Sequence, residues 1–516
     1  KPARSDFTKI YYWYYPWRAM GIHPDPENPP TFGGFFDIVT YPLIVTRTEP
    51  DDFIANTMLE LSIIPIPETF NRIVAPSRDN SPDLWPQVKT SPADGSPEWA
   101  FYMHYYLSRY KQIVDWWAEH QNPDGQVGGG WNDDVLFATR LPGVFLYSGD
   151  EKARGIFEKI FRGLEKTRMF HDGYCNIVPM DYIHVEDLVR NRYEGLLFDP
   201  GEPHKMNIAM RTAWRYGKPE ETPDNYIDGQ SFMYDRDLIR WYWGDTPEYP
   251  PYSTSRDKVT ATVKEFAPAM DEVIRFRYTE AGMFTDGAYM PGCYDFKRIQ
   301  IGGGWGPWTK NMTLAVSWED GGGPEIPKWV ETATDTSFIA HFYSYDAEVR
   351  DVTARLYRLK KGIYRIMLAY EGEDAAKGAL LTRTEHLGRF SLITVPVRPA
   401  RELVLRIERI SPLPDPGPLP DLAISGDDGK AENPVPVVRI FNFGNASARN
   451  VVVRALDFAG RTIGEQTIVH IDSAEDFVPG NADVTFSRPL REIGRIVVDP
   501  DNEIEEIYEE NNSLRR

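Results

Sequence analysis

Acidic anchors recur along this chain at nearly even spacing. Asp133-Asp134 is followed by Glu186-Asp187, and then by Arg236-Asp237, with Asp187 fifty-three residues after Asp134 and Asp237 fifty after Asp187. Each pair is trailed by a tight acidic turn: Tyr147-Ser-Gly-Asp-Glu151, Phe198-Asp-Pro-Gly-Glu202 and Trp243-Gly-Asp-Thr-Pro-Glu248. Helical patterning follows the first two turns, over residues 151–166 and 204–216. A helical hairpin of this length cannot bury its apolar face alone, so its recurrence predicts a solenoid or closed ring of helix pairs. Equivalent loops in such an array lie on one face, which would gather the three acidic loops around one cavity.

The first strong helical signal begins at Ser96-Pro97-Glu98, with a capping residue, a proline for the first helical position and an acid for the first turn. Tyr102, Tyr106, Tyr110, Ile113, Val114 and Trp117 then recur at spacings of three and four, one face of a long helix. Residues 1–95 are rich in proline and aromatics, with little helical period except around 50–61. At 516 residues the chain is too long for one ordinary core. A net charge of −20 without a basic stripe excludes a nucleic-acid partner. No apolar run is long enough to span a bilayer. The only two cysteines, Cys175 and Cys293, have no metal-ligand spacing and allow at most one bridge. The chain starts at Lys1 without Met or a signal peptide, as a mature or trimmed chain would.

Near Gly321 the pattern changes to short β-prone runs, at 338–345, 352–358, 364–370 and 390–397, separated by turns. Pro412-Leu-Pro-Asp-Pro-Gly-Pro-Leu-Pro420 is a stiff, extended linker by composition. A last all-β stretch follows. The expected fold class is a multidomain chain, α then β: a complete or incomplete (α/α) toroid followed by two immunoglobulin-like β-sandwiches. The expected boundaries are 1–320 for the toroid with its irregular N-terminal segment, 321–411 for the first sandwich, 412–420 for the linker and 421–516 for the second sandwich.

The last segment resembles the CARDB family of cell-adhesion-related β-sandwiches found in exported bacterial and archaeal proteins. The matching residues are Pro420-Asp-Leu-Ala-Ile424, Phe441-Asn-Phe-Gly-Asn-Ala446 before Val451-Val-Val453, and the run from Val498-Asp-Pro-Asp-Asn502 to Asn512. The resemblance implies a secreted or cell-surface protein, associated with a surface or matrix through this module, which would then be dispensable for chemistry. The helical part resembles the (α/α) toroids of bacterial carbohydrate-active enzymes, at the junction Gln121-Asn-Pro-Asp-Gly125 followed by Gly130-Trp131. Terpene cyclases share a similar junction, but no Asp-x-Asp-Asp motif is present.

Three constellations could carry chemistry. The glycine-rich loop after Gly125 delivers Trp131, Asn132, Asp133 and Asp134: an indole to stack on a sugar face and carboxylates to move protons or hold hydroxyls. Neighbouring residues on a helix point about 100° apart, so Asp133 and Asp134 cannot both face one bond, and a partner from another loop is needed. The second constellation is Tyr182, His184, Glu186, Asp187, Arg190, Asn191 and Tyr193, in which His184/Asp187 and Glu186/Arg190 have same-face helical spacing. Elimination from a uronic acid polymer needs a base at the C5 proton, an acid for the leaving oxygen and a partner for the carboxylate. Tyr182, His184 and Arg190 are of the right types. The third is Trp305 and Trp308 on a glycine-rich loop, a sugar-stacking subsite or a packed hinge, with Asp237 and Arg236 as further polar contacts. Helix capping by acids and a salt-bridged helix are the competing structural explanations for the first two.

The leading expectation is a secreted polysaccharide lyase acting by β-elimination, since in toroid lyases a β domain follows the helices. The alternatives are a glycoside hydrolase using an Asp/Glu pair in the same cleft, and a non-catalytic glycan-binding or adhesion protein. No cofactor and no dedicated metal site is expected from short-range spacing. A calcium ion held by these carboxylates would leave no sequence signature.

Overall fold

The computed structural model of the protein describes residues 95–127, 141–166, 170–171, 174–175, 200–215, 238–245, 250–268, 270, 293–303, 314–374, 378–425, 437–487 and 490–515. Its helices are α1 (Glu98–His120), α2 (Leu141–Ser148), α3 (Glu151–Glu165), α4 (Pro203–Arg215), α5 (238–243), α6 (Arg256–Phe266) and α7 (Cys293–Ile301). The two-residue strands β1 (Phe170–His171) and β2 (Tyr174–Cys175) pair as a small hairpin.

Helix α1 starts where the Ser-Pro-Glu signal places it, and it buries more than the stripe the periodicity marks. Tyr106, Tyr110, Ile113, Val114 and Trp117 are buried as expected, and so are Trp99, Phe101 and Tyr105 on other faces. Tyr106 stacks on Phe296 of α7 with ring centroids 3.6 Å apart. Tyr110 meets Tyr147 of α2 edge to face. Helix α3 is amphipathic, burying Ile156, Phe157, Ile160, Phe161 and Leu164. Its N-terminus is capped by Asp150, whose carboxylate accepts from Lys152 N at 2.9 Å and Ala153 N at 3.2 Å, two of the donors a helix start leaves without partners.

Strand β3 (Tyr252–Ser253) leaves the helical region to join a sheet with β5 (Lys328–Ala333), β6 (Ser337–Phe342), β11 (Leu403–Pro412), β8 (Gly362–Tyr370) and β9 (Leu381–Leu387), in the order β3-β5-β6-β11-β8-β9. A second sheet has the order β10-β7-β4, with β4 at Val316–Asp320, β7 at Arg350–Leu356 and β10 at Leu392–Val397. All pairings are antiparallel. Tyr364, Ile366 and Leu368 are buried while Arg365 between them is exposed, the period-two pattern of a strand with one face on the core.

The C-terminal β module pairs β12 (Leu422–Ile424), β13 (Val437–Asn442) and β16 (Gly480–Thr485) in one sheet. In the other, β15 (Thr462–Ile471), β14 (Ala448–Leu456), β17 (Arg495–Val498) and β18 (Ser513–Arg515) run side by side in that order. Val451, Val453, Ile440, Ile496 and Val498 fill the space between them.

The toroid expectation is corrected by this arrangement. The described residues carry more strand than helix, 35% against 28%, and the few helices do not close a ring of hairpins. Helices α1, α2 and α7 lie against the sheets: α2 packs on β4, α7 on β5, and Trp99 of α1 meets Trp329 of β5 edge to face at 6.2 Å. The aromatic period of α1 correctly marked a helix with buried faces. It carried no information on what covers those faces, and sheet residues take the place that further helix pairs would have filled. The C-terminal module keeps a core of its own, and Ala423, Phe443, Phe477 and Tyr508 from it join the larger core that runs from α1 through both larger sheets.

Candidate functional site

The residues singled out for chemistry, Trp131, Asn132, Asp133, Asp134, Tyr182, His184, Glu186, Asp187, Arg190, Tyr193, Arg236, Asp237, Trp305 and Trp308, all lie outside the described residues. What is described is the platform from which the first of these loops departs. Gln121 ends α1, its backbone N donating to Trp117 O at 2.8 Å. Its side-chain Nε2 donates to Gly125 O at 2.8 Å and to Ile156 O of α3 at 3.0 Å. One amide therefore ties the end of α1, the turn and the neighbouring helix together.

The turn is closed by Gly125 N to Asn122 O at 3.0 Å and Asn122 N to Gln126 O at 2.8 Å. Asp124 accepts from both Gln126 N and Gln126 Nε2, each at 3.1 Å. Gly125 has φ of +107°, and a Cβ there would stand 2.2 Å from Lys159 O. Only glycine suits that backbone and that approach. Val127 is buried, so the chain enters Gly128-Gly-Gly-Trp131 from an anchored point.

Charge reinforces the α1–α3 contact. Asp115 accepts from Lys111 Nζ at 2.9 Å and Lys152 Nζ at 2.8 Å. Burial pushes the Asp115 carboxyl up, but the two ammonium groups outweigh it and hold the group below the ordinary aspartate range. Helix α4 is tied to α3 by His204 Nε2 to Glu165 at 2.6 Å and by the Lys205–Glu158 ion pair.

A second polar cluster, unforeseen from sequence, sits on the larger sheet. His341 of β6 contacts Glu331 through Nε2 at 2.6 Å and Glu402 through Nδ1 at 3.1 Å. Arg256, the first residue of α6, forks onto Glu402 at 2.6 and 2.7 Å and reaches Glu371 at 3.2 Å. The imidazole lies flat on Trp329, 4.1 Å away and 3° from parallel. The β5–β6 register slips between Val330 and Thr332, so Glu331 is the extra residue of a bulge, a device that re-aims side chains. Burial pushes Glu402 up, but His341 and Arg256 outweigh it and hold its carboxyl below the ordinary glutamate range. Both ring nitrogens are engaged and His341 is 3% exposed, so this cluster braces α6 against the sheet. His341 falls in the β-prone run 338–345, but Glu331 and Glu402 lie outside the runs the sequence marks.

Lys328 of β5 is wholly buried, donating to Gly321 O at 2.6 Å and Ile326 O at 3.1 Å, and burial pushes its ammonium down to about 7. Among the described residues no group of three or more His, Cys, Asp or Glu is arranged to hold a metal ion, and no helix is long and apolar enough to cross a membrane. Neither a scan of protein families nor a search of curated proteins finds a match to this chain.

Proposed function

We propose that the protein is an exported enzyme that cleaves an anionic, uronic-acid-containing polysaccharide by β-elimination. The observation that supports the reading is the turn at Gln121–Gly125, locked by a side-chain amide and a left-handed glycine, which in the sequence lies just ahead of Gly128-Gly-Gly-Trp131-Asn-Asp-Asp134. Sites that must hold a sugar in register need loops that start from a rigid scaffold. In the proposed reaction a base takes the proton from C5, and that electron pair forms the C4=C5 bond. The C4–O bond breaks, and an acid returns a proton to the departing oxygen. Tyr182 and His184 are assigned these two proton transfers. Arg190 is assigned to the substrate carboxylate, where a guanidinium forms paired hydrogen bonds and stabilises the developing dienolate. Trp131 and Tyr193 would stack on the sugar rings, and Arg211, exposed on α4, adds positive charge to a chain that is acidic as a whole.

A second reading rests on the two carboxylates next to the locked turn. With Asp133 or Asp134 as one member and Glu186, Asp187 or Asp237 as the other, the same loops would form the acid–base pair of a glycoside hydrolase. A panel of polysaccharides separates the readings. New ultraviolet absorbance from the unsaturated uronate selects elimination, and new reducing ends without it select hydrolysis. Under elimination, His184→Ala and Tyr182→Phe should each lower kcat about a hundredfold or more, while Asp134→Asn should act mainly on KM. Binding without either product would remove the enzyme reading.

A further inference from the structure

The C-terminal module meets the helical part through two carboxyls buried together. Asp421, the residue before β12, is 0% exposed, and Glu506, in the acidic segment before β18, is 6% exposed. Every side-chain hydrogen bond they receive comes from a neutral donor. Tyr242 of α5 donates its hydroxyl to Asp421 Oδ2 at 2.9 Å, across 179 residues of chain. Asn511 Nδ2 donates to Asp421 Oδ1 at 3.0 Å and to Gly201 O, at the turn before α4, at 3.1 Å. Glu506 accepts from Leu422 N and from Asn512 Nδ2, the latter at 2.8 Å.

Among the described residues, the groups around this pair supply no compensating cation. Facing it are Tyr242 from α5, Asn442 from β13, whose Oδ1 accepts from Asp421 N, and Tyr508, Glu509, Asn511 and Asn512 from the C-terminal segment. Arg355 of β7 is already held by Glu319, with contacts of 2.5 and 3.1 Å, and by Glu510, with contacts of 3.1 and 2.7 Å. Two ionised carboxylates side by side in such a place would be costly, because neutral dipoles do not offset the loss of water around two like charges.

An independent feature of the geometry agrees. The amide oxygens of Asn511 and Asn512 are buried and accept no hydrogen bond. Turning the Asn512 amide by half a rotation would point its oxygen at Glu506 Oε1, where it would accept from a protonated carboxyl. Such an amide orientation is chosen from the bonding pattern and not from the shape of the group.

We propose that this interface is a proton-dependent latch: it is closed while Asp421 and Glu506 carry their protons, and it loosens when both are ionised. Burial, with the Glu509 charge adding, pushes Asp421 up to about 7 against the opposing bonds from Asn511 and Tyr242. Burial, then the neighbouring Asp421, pushes Glu506 up to about 9. Undocked, both carboxyls would return to water and to ordinary values. Docking is therefore fully favoured below about pH 4 and weakens as pH rises through these higher values. Docking should weaken progressively as pH rises towards these values, since the docked form holds more protons than the undocked one.

Hydrogen–deuterium exchange on the full chain, corrected for the intrinsic pH dependence of exchange, tests this. Protection of segments 238–245, 420–424 and 499–515 should fall at least tenfold between pH 6 and pH 9, while Gly362–Tyr370 of β8 keeps its protection, and return to pH 6 should restore the loss. The Asp421→Asn/Glu506→Gln variant should retain interface protection at both pH values. Unchanged wild-type protection at pH 9 would overturn the latch whatever the variant does, as would an unaltered pH profile in a folded variant.

Discussion

Gly125 shows how much one position can carry. With φ of +107° and Lys159 O where a Cβ would go, Gly125→Ala combines backbone strain with a steric clash and should cost about 2 kcal/mol or more, read from chemical denaturation. Gln121→Ala removes two side-chain hydrogen bonds and should cost about 1–3 kcal/mol. If the Gln121–Gly125 turn is the scaffold for Trp131 to Asp134, both variants should also lower turnover on the cleaved polysaccharide by more than their loss of folded protein explains. An enzyme that kept full specific activity in the folded fraction of Gln121→Ala would separate the turn from the site. A glycine ahead of a glycine-rich loop was visible in the sequence. Its close approach to α3 was not, because the partner atom is a backbone carbonyl contributed by a different helix.

Among the elements, α6 is held to the sheet by charge more than by its narrow apolar face, in which Val259 and Val263 are the buried residues. Arg256→Ala would leave Glu402 and Glu371 without their guanidinium partner and should cost about 2 kcal/mol. That is less than a fully buried pair loses, because the Arg256 side chain is 37% exposed. Glu402 has a folded value below its unfolded one. Its contribution is therefore present above the ordinary glutamate range, about pH 4.3, and is lost as pH falls through the lower folded value. Glu402→Gln should flatten the acid limb of the stability profile, measured as the thermal midpoint between pH 3 and pH 6. The ends of α1, α3 and α4 were readable within a residue or two from caps and periodicity. The bulge at Glu331 was not, since its effect depends on the facing strand.

In the whole molecule, the β-rich C-terminal end is built into the main body. Trp243 of α5 donates its indole N–H to Phe443 O at 2.7 Å and stacks on Phe477 at 5.4 Å. Arg389, in the turn before β10, donates to the carbonyls of Trp241 and Tyr242. Arg355, 3% exposed, depends on Glu510 for half of its carboxylate partners. Deleting residues 413–516 would uncover Trp243, Tyr242 and Phe390 and leave a buried guanidinium half paired, so the truncated chain should lose folded yield and aggregate in size-exclusion chromatography. A truncated chain as monodisperse and as heat-resistant as the full one would contradict it. The sequence-based expectation was that the module is dispensable for chemistry, and turnover of any folded truncated chain checks that separately.

Local features of this chain were settled by its residues alone. Aromatics at three- and four-residue spacing make a helix from Glu98, alternation makes strands such as Gly362–Tyr370, and Gly125 makes a turn, because conformational preference and burial period are properties of a short segment. The partner of each buried face came only with the tertiary structure. Trp99 found Trp329, Tyr242 found Asp421, and Arg355 found Glu510 across 230, 179 and 155 residues. Bringing such distant segments together depends only weakly on the length of chain between them, while the gain depends on which shapes and charges fit. The spacing of acidic positions along the chain said nothing of which elements would pack on α1, α2 and α7, and in the tertiary structure those partners include sheet strands.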